Sequence, residues 1–270
     1  MKKLLISLLF LSFISVYGQT VHPCCGACPC VCQKNRIYIG ANAYYQRLSV
    51  HQPQEGSSLQ SEPIDGAMGG FEAGYEFKRI RHLYAALRGF YGQGKLKNSQ
   101  LSRYIHEWDV QTRLGFNYRA LQGPNVVVSF YTGFGFTFKN QFLNGFPPTT
   151  FKLSYYKYYI PVGLLLDLRV TDCFYFRFDF TWVPDIDPTV ESSNFKQLRM
   201  ELKHKQNFRV ELPLVFLFGC ERQWEINLVP FWRRDKDGRT KRSSICDEFT
   251  MLPEQVYSYW GTKLIFGYRF

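Results

Sequence analysis

The sequence predicts an all-β fold: a transmembrane antiparallel up-and-down β-barrel of about ten strands, with short periplasmic turns and long outer loops. Ten segments alternate apolar and polar residues with the period of two that puts successive side chains on opposite faces of a strand. The connections between these segments alternate between short and long, as they do in transmembrane barrels. After the first 18 residues, no run reaches the roughly 18 consecutive apolar residues that a membrane helix needs.

The N-terminus has the pattern of a secretory signal. Lys2 and Lys3 precede an apolar run from Leu4 to Val16, and small residues stand before the expected cleavage after Gly18. The sequence therefore divides into a signal peptide (1–18), a cysteine-rich periplasmic tail (19–35) and an outer-membrane barrel (36–270).

The chain is basic, with a formal net charge of +11 that falls to +9 when Lys2 and Lys3 are removed with the signal. Such a surplus favours anionic partners, among them lipopolysaccharide phosphates and sulfated glycans. Because the chain is exported, we expect no nucleic-acid partner.

The ten alternating segments justify the strand count. In chain order they cover residues 37–46, 71–78, 83–92, 107–119, 128–138, 156–169, 174–182, 208–218, 224–232 and 260–270. A soluble β-sandwich or lipocalin-like barrel is the alternative fold. Bulky aromatic residues on one face, with glycines and charges on the other, favour apolar faces turned to lipid. Strands in lipid must then close into a barrel to satisfy their backbone polar groups.

The last segment carries a recognisable ending. Its letters, LIFGYRF, set Phe266, Tyr268 and the terminal Phe270 at alternating positions. This ending resembles the C-terminal signal of bacterial outer-membrane β-barrels, which the barrel assembly machinery reads. The resemblance implies location in the cell outer membrane, with outer-membrane lipid, lipopolysaccharide and the assembly machinery as partners.

Charged residues fill the face opposite the apolar one, so we expect them inside the barrel. The predicted lumen charges are Glu72, Glu76, Arg88, Glu107, Asp109, Arg113, Asp167, Arg177, Asp179 and Lys263. A ten-stranded lumen is narrow, since barrels of about eight strands are filled by their own side chains. Two interpretations stay open: a plug in which acids and bases pair, or a thin, weakly anion-selective pore.

A basic cluster lies in the predicted fifth outer loop, residues 233–256. Its members are Arg233, Arg234, Lys236, Arg239, Lys241 and Arg242. Clusters of this density bind heparin-like glycans or lipopolysaccharide phosphates. The alternative is a solvated loop whose positive charge is partly neutralised by neighbouring aspartates.

Catalytic and metal-binding patterns are weak in this sequence. A ten-stranded barrel is similar to the omptins, outer-membrane proteases with acidic residues and histidine at the barrel mouth. The comparable set is Asp185 and Asp187 with His204, all in the predicted fourth outer loop, and a second acidic pair is missing. We therefore interpret the aspartates as loop and turn residues beside prolines, and expect no enzymatic activity, no metal site and no cofactor.

The cysteines are concentrated behind the signal. The stretch CCGACPCVC holds Cys24, Cys25, Cys28, Cys30 and Cys32. The predicted topology puts Cys173 and Cys220 in short periplasmic turns, on the same side of the membrane. An oxidising compartment favours disulfides over a zinc or redox site.

Seven periplasmic cysteines are an odd number, so we expect some of them to be free or bonded to another chain. The run resembles the cysteine-crosslinked outer-membrane proteins of chlamydial envelopes. The resulting prediction is an envelope structural protein linked through its N-terminal cysteines, with narrow porin activity as an added property. A glycan-binding adhesin is the alternative, and an omptin-like hydrolase is the least favoured.

Overall fold

The computed structural model describes residues 35–51, 62–78, 83–99, 101–119, 126–144, 151–193, 198–219, 222–240 and 252–270. The predicted signal peptide and nearly all of the predicted tail lie outside these residues. Within the described part of the chain, no helix is long and apolar enough to cross a membrane.

The described residues form thirteen β-strands. They are β1 (Arg36–His51), β2 (Ile64–Phe77), β3 (Leu83–Lys97), β4 (Ser102–Arg119), β5 (Val126–Asn144), β6 (Phe151–Tyr159), β7 (Val162–Arg169), β8 (Phe174–Ser192), β9 (Leu198–Glu201), β10 (Gln206–Glu211), β11 (Leu214–Phe218), β12 (Trp224–Asp237) and β13 (Glu254–Arg269).

The strands form a closed antiparallel barrel. The last strand, β13, pairs with β1 from the Arg36–Arg269 pair to the His51–Glu254 pair, so the sheet has no free edge at the seam. Strands β6 and β7 are two parts of one barrel strand, interrupted at Pro161. Strands β9, β10 and β11 are three parts of another, since all three pair with β8 in one register, and Pro213 separates the last two. Proline lacks the backbone N–H of the ladder. When each interrupted strand is counted once, the barrel has ten strands, which confirms the predicted fold class.

The outer surface of the barrel is an apolar belt. Side chains such as Ile39, Leu114 and Leu264 expose 61, 60 and 59% of their surface, and the carboxylates and cations of the same strands point inward. A soluble protein would bury the apolar side chains and expose the charged ones. The observed arrangement instead suits a barrel surrounded by lipid. The end with the short connections, which also carries residues 35 and 270, is the periplasmic end.

The strands continue beyond the predicted segments at the end with the long connections. Strand β2 begins at Ile64, β8 ends at Ser192 and β12 ends at Asp237. Above the lipid the outward face becomes polar while the inward face carries apolar residues, so the alternation used for prediction fades although the ladder continues. The inward residues there form a core of Tyr44, Leu48, Val50, Ile64, Met68, Leu96, Ile105, Tyr257 and Tyr259.

Two aspartates show the consequence of these longer strands. The prediction that Asp185 and Asp187 are loop and turn residues was wrong, because both belong to β8. Asp187 lies at a bulge where the β6–β8 register shifts between Tyr156 and Tyr158. Its φ of 43° is in the left-handed region, which aspartate tolerates better than most residues.

Candidate functional site: the charged barrel interior

The inward-facing charges form four layers stacked along the barrel axis. Each strand contributes every second residue to the interior, so distant segments of the chain meet in one layer. The periplasmic layer contains Arg36, Glu76, Lys78, Asp167, Arg177, Glu225 and Arg269. Glu225 joins the barrel seam in this layer, since it accepts hydrogen bonds from Arg36 Nη1 at 2.7 Å and from Arg269 Nε at 2.8 Å.

The same layer is tied to the opposite wall. Arg36 Nη2 donates to Glu76 at 2.7 Å, and Arg177 Nη1 lies 3.1 Å from that carboxylate. Arg177 also donates to Asp167 at 2.6 Å, and Lys78 donates to Asp167 at 2.8 Å. These ion pairs cross the lumen and occupy it at this level.

The middle layer contains three cations and three carboxylates. Its members are Glu72, Arg88, Arg113, Asp179, Glu211 and Lys263. Lys263 Nζ lies 2.5 Å from Glu72 and 2.8 Å from Glu211, while Arg88 donates to both carboxylates at 2.9 Å. The four groups form a square in which each charge contacts two of opposite sign.

The third layer gathers Glu107, Asp109, Arg209, Arg233 and Asp235. Arg209 donates to Asp109 at 2.8 Å, and Asp109 also accepts from the Tyr159 hydroxyl at 2.9 Å. Arg233 pairs with both Glu107 and Asp235.

The outermost layer contains two lysines and two aspartates. Lys139 Nζ donates to Asp237 at 2.6 Å, and Lys157 contacts the same carboxylate. Asp185 accepts from Asn207 Nδ2 at 2.8 Å, with Lys157 Nζ 3.9 Å away. Asp185 lies three residues beyond Trp182, an aromatic residue of the outer membrane interface, so this layer stands at the outer edge of the membrane or above it.

Buried tyrosines separate and support the cations. Arg113 stacks over Tyr131 at 4.3 Å, Lys139 lies 3.6 Å from the centre of the Tyr257 ring, and Arg233 stacks over Tyr259 at 4.8 Å. Such cation–π contacts are stronger when they are desolvated. The rings therefore offset part of the cost of burying cations while filling the lumen.

Most of the charged side chains in the described interior are withdrawn from solvent. Glu225 in the periplasmic layer and Glu107 in the third layer have no exposed surface, and Asp237 in the outermost layer is 1% exposed. The interior cavity beside Arg88, Arg209 and Glu211 has a volume of about 40 Å³, room for only a few water molecules. The four layers together hold eleven cations and eleven carboxylates, so the positive surplus of the chain lies elsewhere.

All ten predicted lumen charges lie in these layers, and nine of them are less than 9% exposed. The tenth, Arg88, keeps 13% of its side chain exposed. Sequence reasoning missed Arg36, which immediately precedes the first alternating segment, and Lys139, Asp235 and Asp237, which it placed in loops. It also assigned no role to the inward tyrosines. Their signal was present, since Tyr44, Tyr131 and Tyr159 alternate in phase with the charges.

The predicted anion-binding loop is divided by the structure. Arg233 was wrongly placed there, because it is 8% exposed and faces the lumen from β12. Arg234 and Arg239 are exposed, and Lys236 is half-buried. Lys241 and Arg242 lie outside the described residues.

The omptin-like set does not come together around a common cleft. His204 Nδ1 lies 3.1 Å from the backbone oxygen of Asp185, whose carboxylate points inward to Asn207. The side chain of Asp187 is exposed. Among the described residues, no group of three histidine, cysteine or acidic side chains could hold a metal ion.

The remaining predicted residues that the structure describes lie at the periplasmic end. Cys173 is exposed and has a free thiol in the turn between β7 and β8. Cys24, Cys25, Cys28, Cys30, Cys32 and Cys220 lie outside the described residues. Phe266, Tyr268 and Phe270 face outward at the end of the chain, where Trp224 contacts Phe266 and Tyr268. The ring of Phe270 stacks on that of Tyr75.

No protein-family model and no curated protein matches the chain. Solved structures do. The outer membrane protease OmpT from Escherichia coli has a TM-score of 0.54 and 12% sequence identity, over 91% of this chain and 99% of that one. This chain has the fold of an outer-membrane β-barrel. Together with the apolar belt, that fold places the protein in the outer membrane.

Two further solved structures are similar over most of their length. The translocator domain of the autotransporter NalP from Neisseria meningitidis has a TM-score of 0.44 and 11% identity, over 100% of this chain and 97% of that one. The outer membrane protein OprG from Pseudomonas aeruginosa has a TM-score of 0.37 and 8% identity, over 88% of this chain and 97% of that one.

Proposed function

We propose that the protein is a sealed structural barrel of the outer membrane, which holds a cysteine-rich tail at the periplasmic face for disulfide linkage to other envelope proteins. The observation that carries the proposal is the filled lumen. Four charged layers, whose cations and carboxylates balance in sum, cross the interior, and the cavity beside Arg88, Arg209 and Glu211 is about 40 Å³. A pore for solutes needs a continuous wet path, which wider barrels provide.

The anion-selective pore is less well supported by this geometry. Selectivity for anions requires unpaired cations along the path, whereas each cation of the middle layer contacts a carboxylate. We therefore favour the interpretation in which acids and bases pair. The role is structural, without catalysis.

The seam of the barrel supports the proposed position of the tail. Asn35 and Phe270 exchange two backbone hydrogen bonds, of 3.1 and 3.0 Å, at the periplasmic rim. The cysteine-rich segment precedes Asn35 directly, so its cysteines start within a few residues of the membrane surface. The exposed thiol of Cys173 lies at the same end of the barrel.

Electrophoresis of native envelopes tests the linkage. Envelopes are isolated with a thiol-blocking reagent and run with and without reductant. We expect high-mass species that collapse to the monomer on reduction, and that disappear when the five tail cysteines are replaced by serine. Cys246→Ser, in the predicted outer loop, is the matched control and should leave the high-mass species unchanged. A monomer under both conditions would refute the linkage.

A further inference from the structure

Three strands around the barrel seam present a row of polar side chains to the outside, just above the membrane. Arg47 of β1 pairs in register with Ser258 of β13, and Ser258 pairs with Arg234 of β12. Both arginines are exposed and the serine is half-buried. Since neighbouring strands lie about 4.8 Å apart, the two arginine backbones are separated by roughly twice that distance.

A row of aromatic side chains lies directly below, two residues nearer the periplasm on each strand. Tyr45 pairs with Trp260, and Trp260 pairs with Trp232. The rings of Tyr45 and Trp260 are 5.2 Å apart, and both tryptophans are 42% exposed. Outward tyrosine and tryptophan at this position mark the membrane interface. The arginines therefore stand at the height of the lipid headgroups of the outer leaflet.

The surroundings leave this row positively charged. Arg234 lies between Phe208 and Ser258 in the sheet, and neither neighbour carries a charge. Arg47 lies opposite Asp65, whose carboxylate interacts with the Tyr45 hydroxyl. Lys236 follows two residues above Arg234 on the same face and adds a further cation.

We propose that Arg47, Ser258 and Arg234 bind the phosphate of an outer-leaflet glycolipid, the lipid A part of lipopolysaccharide, whose acyl chains lie against the aromatic row below. Guanidinium groups donate two parallel hydrogen bonds to phosphate oxygens, and the serine hydroxyl adds a third donor. Basic side chains next to the membrane surface commonly bind anionic headgroups. The site is separate from the lumen and independent of the sealed-barrel proposal.

Titration of the purified, detergent-solubilised full chain with diphosphoryl lipid A tests the site, with bound lipid counted by native mass spectrometry. The double variant Arg47→Gln/Arg234→Gln should bind about 30-fold more weakly, since each basic side chain near a charged surface contributes roughly a factor of five. Lys152→Gln on β6 is the control: it removes a partly exposed cation on the far side of the barrel from the row and should bind like the wild type.

A second measurement uses only the wild-type protein and so does not depend on how the variants fold. Lipid A without phosphate should bind far more weakly than the diphosphoryl form, and added salt should weaken binding of the diphosphoryl form. Equal binding of the two lipids, or insensitivity to salt, would overturn the proposal. So would a double variant that runs as a folded barrel in unboiled gels and binds like the wild type.

Discussion

Single glycines make room for the tyrosines that fill the lumen. Gly135 lies directly opposite Tyr159, and Gly163 lies opposite Tyr131, across neighbouring strands. A Cβ at either glycine would overlap the facing ring. These tyrosines donate to Asp109 and Asp179, so each glycine indirectly positions a lumen carboxylate.

Gly135→Ala should therefore destabilise the barrel by about 1–3 kcal/mol, the usual cost of overpacking a filled interior. The matched control is Gly89→Ala on β3, where the nearest atom to an added Cβ is 4.0 Å away; it should change stability by less than about 0.5 kcal/mol. Urea unfolding from lipid vesicles measures both. If the two substitutions had equal effects, the packing of the Tyr159 ring would not depend on the lack of a side chain at Gly135.

Asp185 gives the outer edge of the barrel a pH dependence. Burial raises the pKa of Asp185 to about 6, more than Lys157 and Asn207 lower it, and Asp237 and Asp235 add to the increase. The unfolded chain loses this proton near pH 4 and the folded barrel near pH 6. The contribution of this group to stability is therefore fully present at low pH and is lost as the pH rises from about 4 to 6, by up to about 3 kcal/mol.

Asp185→Asn should remove this loss. Relative to the wild type, the variant should gain stability between pH 4 and pH 7, measured as the shift in the urea midpoint at the two values. Asp187→Asn is the control, because that exposed residue should show no such change. If the stability of the wild type and of Asp185→Asn changed with pH in the same way, the raised pKa of Asp185 would be contradicted.

At the scale of the strands, ion pairs close the barrel seam. Glu225 on β12 contacts Arg36 on β1 and Arg269 on β13, and all three side chains are buried. Removing one partner of a buried network leaves the others uncompensated, at a cost of about 3–5 kcal/mol.

Glu225→Gln should therefore lower the free energy of unfolding by about that amount. Asp172→Asn is the matched carboxylate-to-amide control. Asp172 pairs with Arg169 and Arg222 at the periplasmic surface with 40% of its side chain exposed, so its loss should cost about 1 kcal/mol or less. The seam would not depend on Glu225 if the two variants unfolded at the same urea concentration.

Strands within the lipid could be predicted from the sequence because both of their faces have a definite character. Alternation was visible wherever apolar residues faced lipid, as in Trp108, Val110 and Leu114 opposite Glu107 and Asp109. The parts of the strands above the lipid could not be predicted, since the alternation of apolar and polar residues weakens once the outward face is polar. The choice of ion-pair partners, such as Glu225 with Arg36, depends on barrel closure, which brings together residues 189 positions apart.

At the scale of the whole molecule, charge is sorted between interior and surface. The lumen layers taken together are balanced, and the basic surplus is available to anionic groups outside, such as those next to Arg47 and Arg234. Under the proposed function, a sealed lumen would let the protein hold its tail at the periplasmic face without opening a leak through the membrane.

Electrical recording of the purified barrel in planar lipid bilayers tests the central claim, that the lumen is sealed, most directly. The account predicts no reproducible conductance steps from the wild-type protein. The triple variant Arg88→Ser/Arg209→Ser/Glu211→Ser, which enlarges the 40 Å³ cavity, should conduct more often if it inserts. Reproducible steps of uniform size from the folded wild-type barrel would contradict the account and establish a pore.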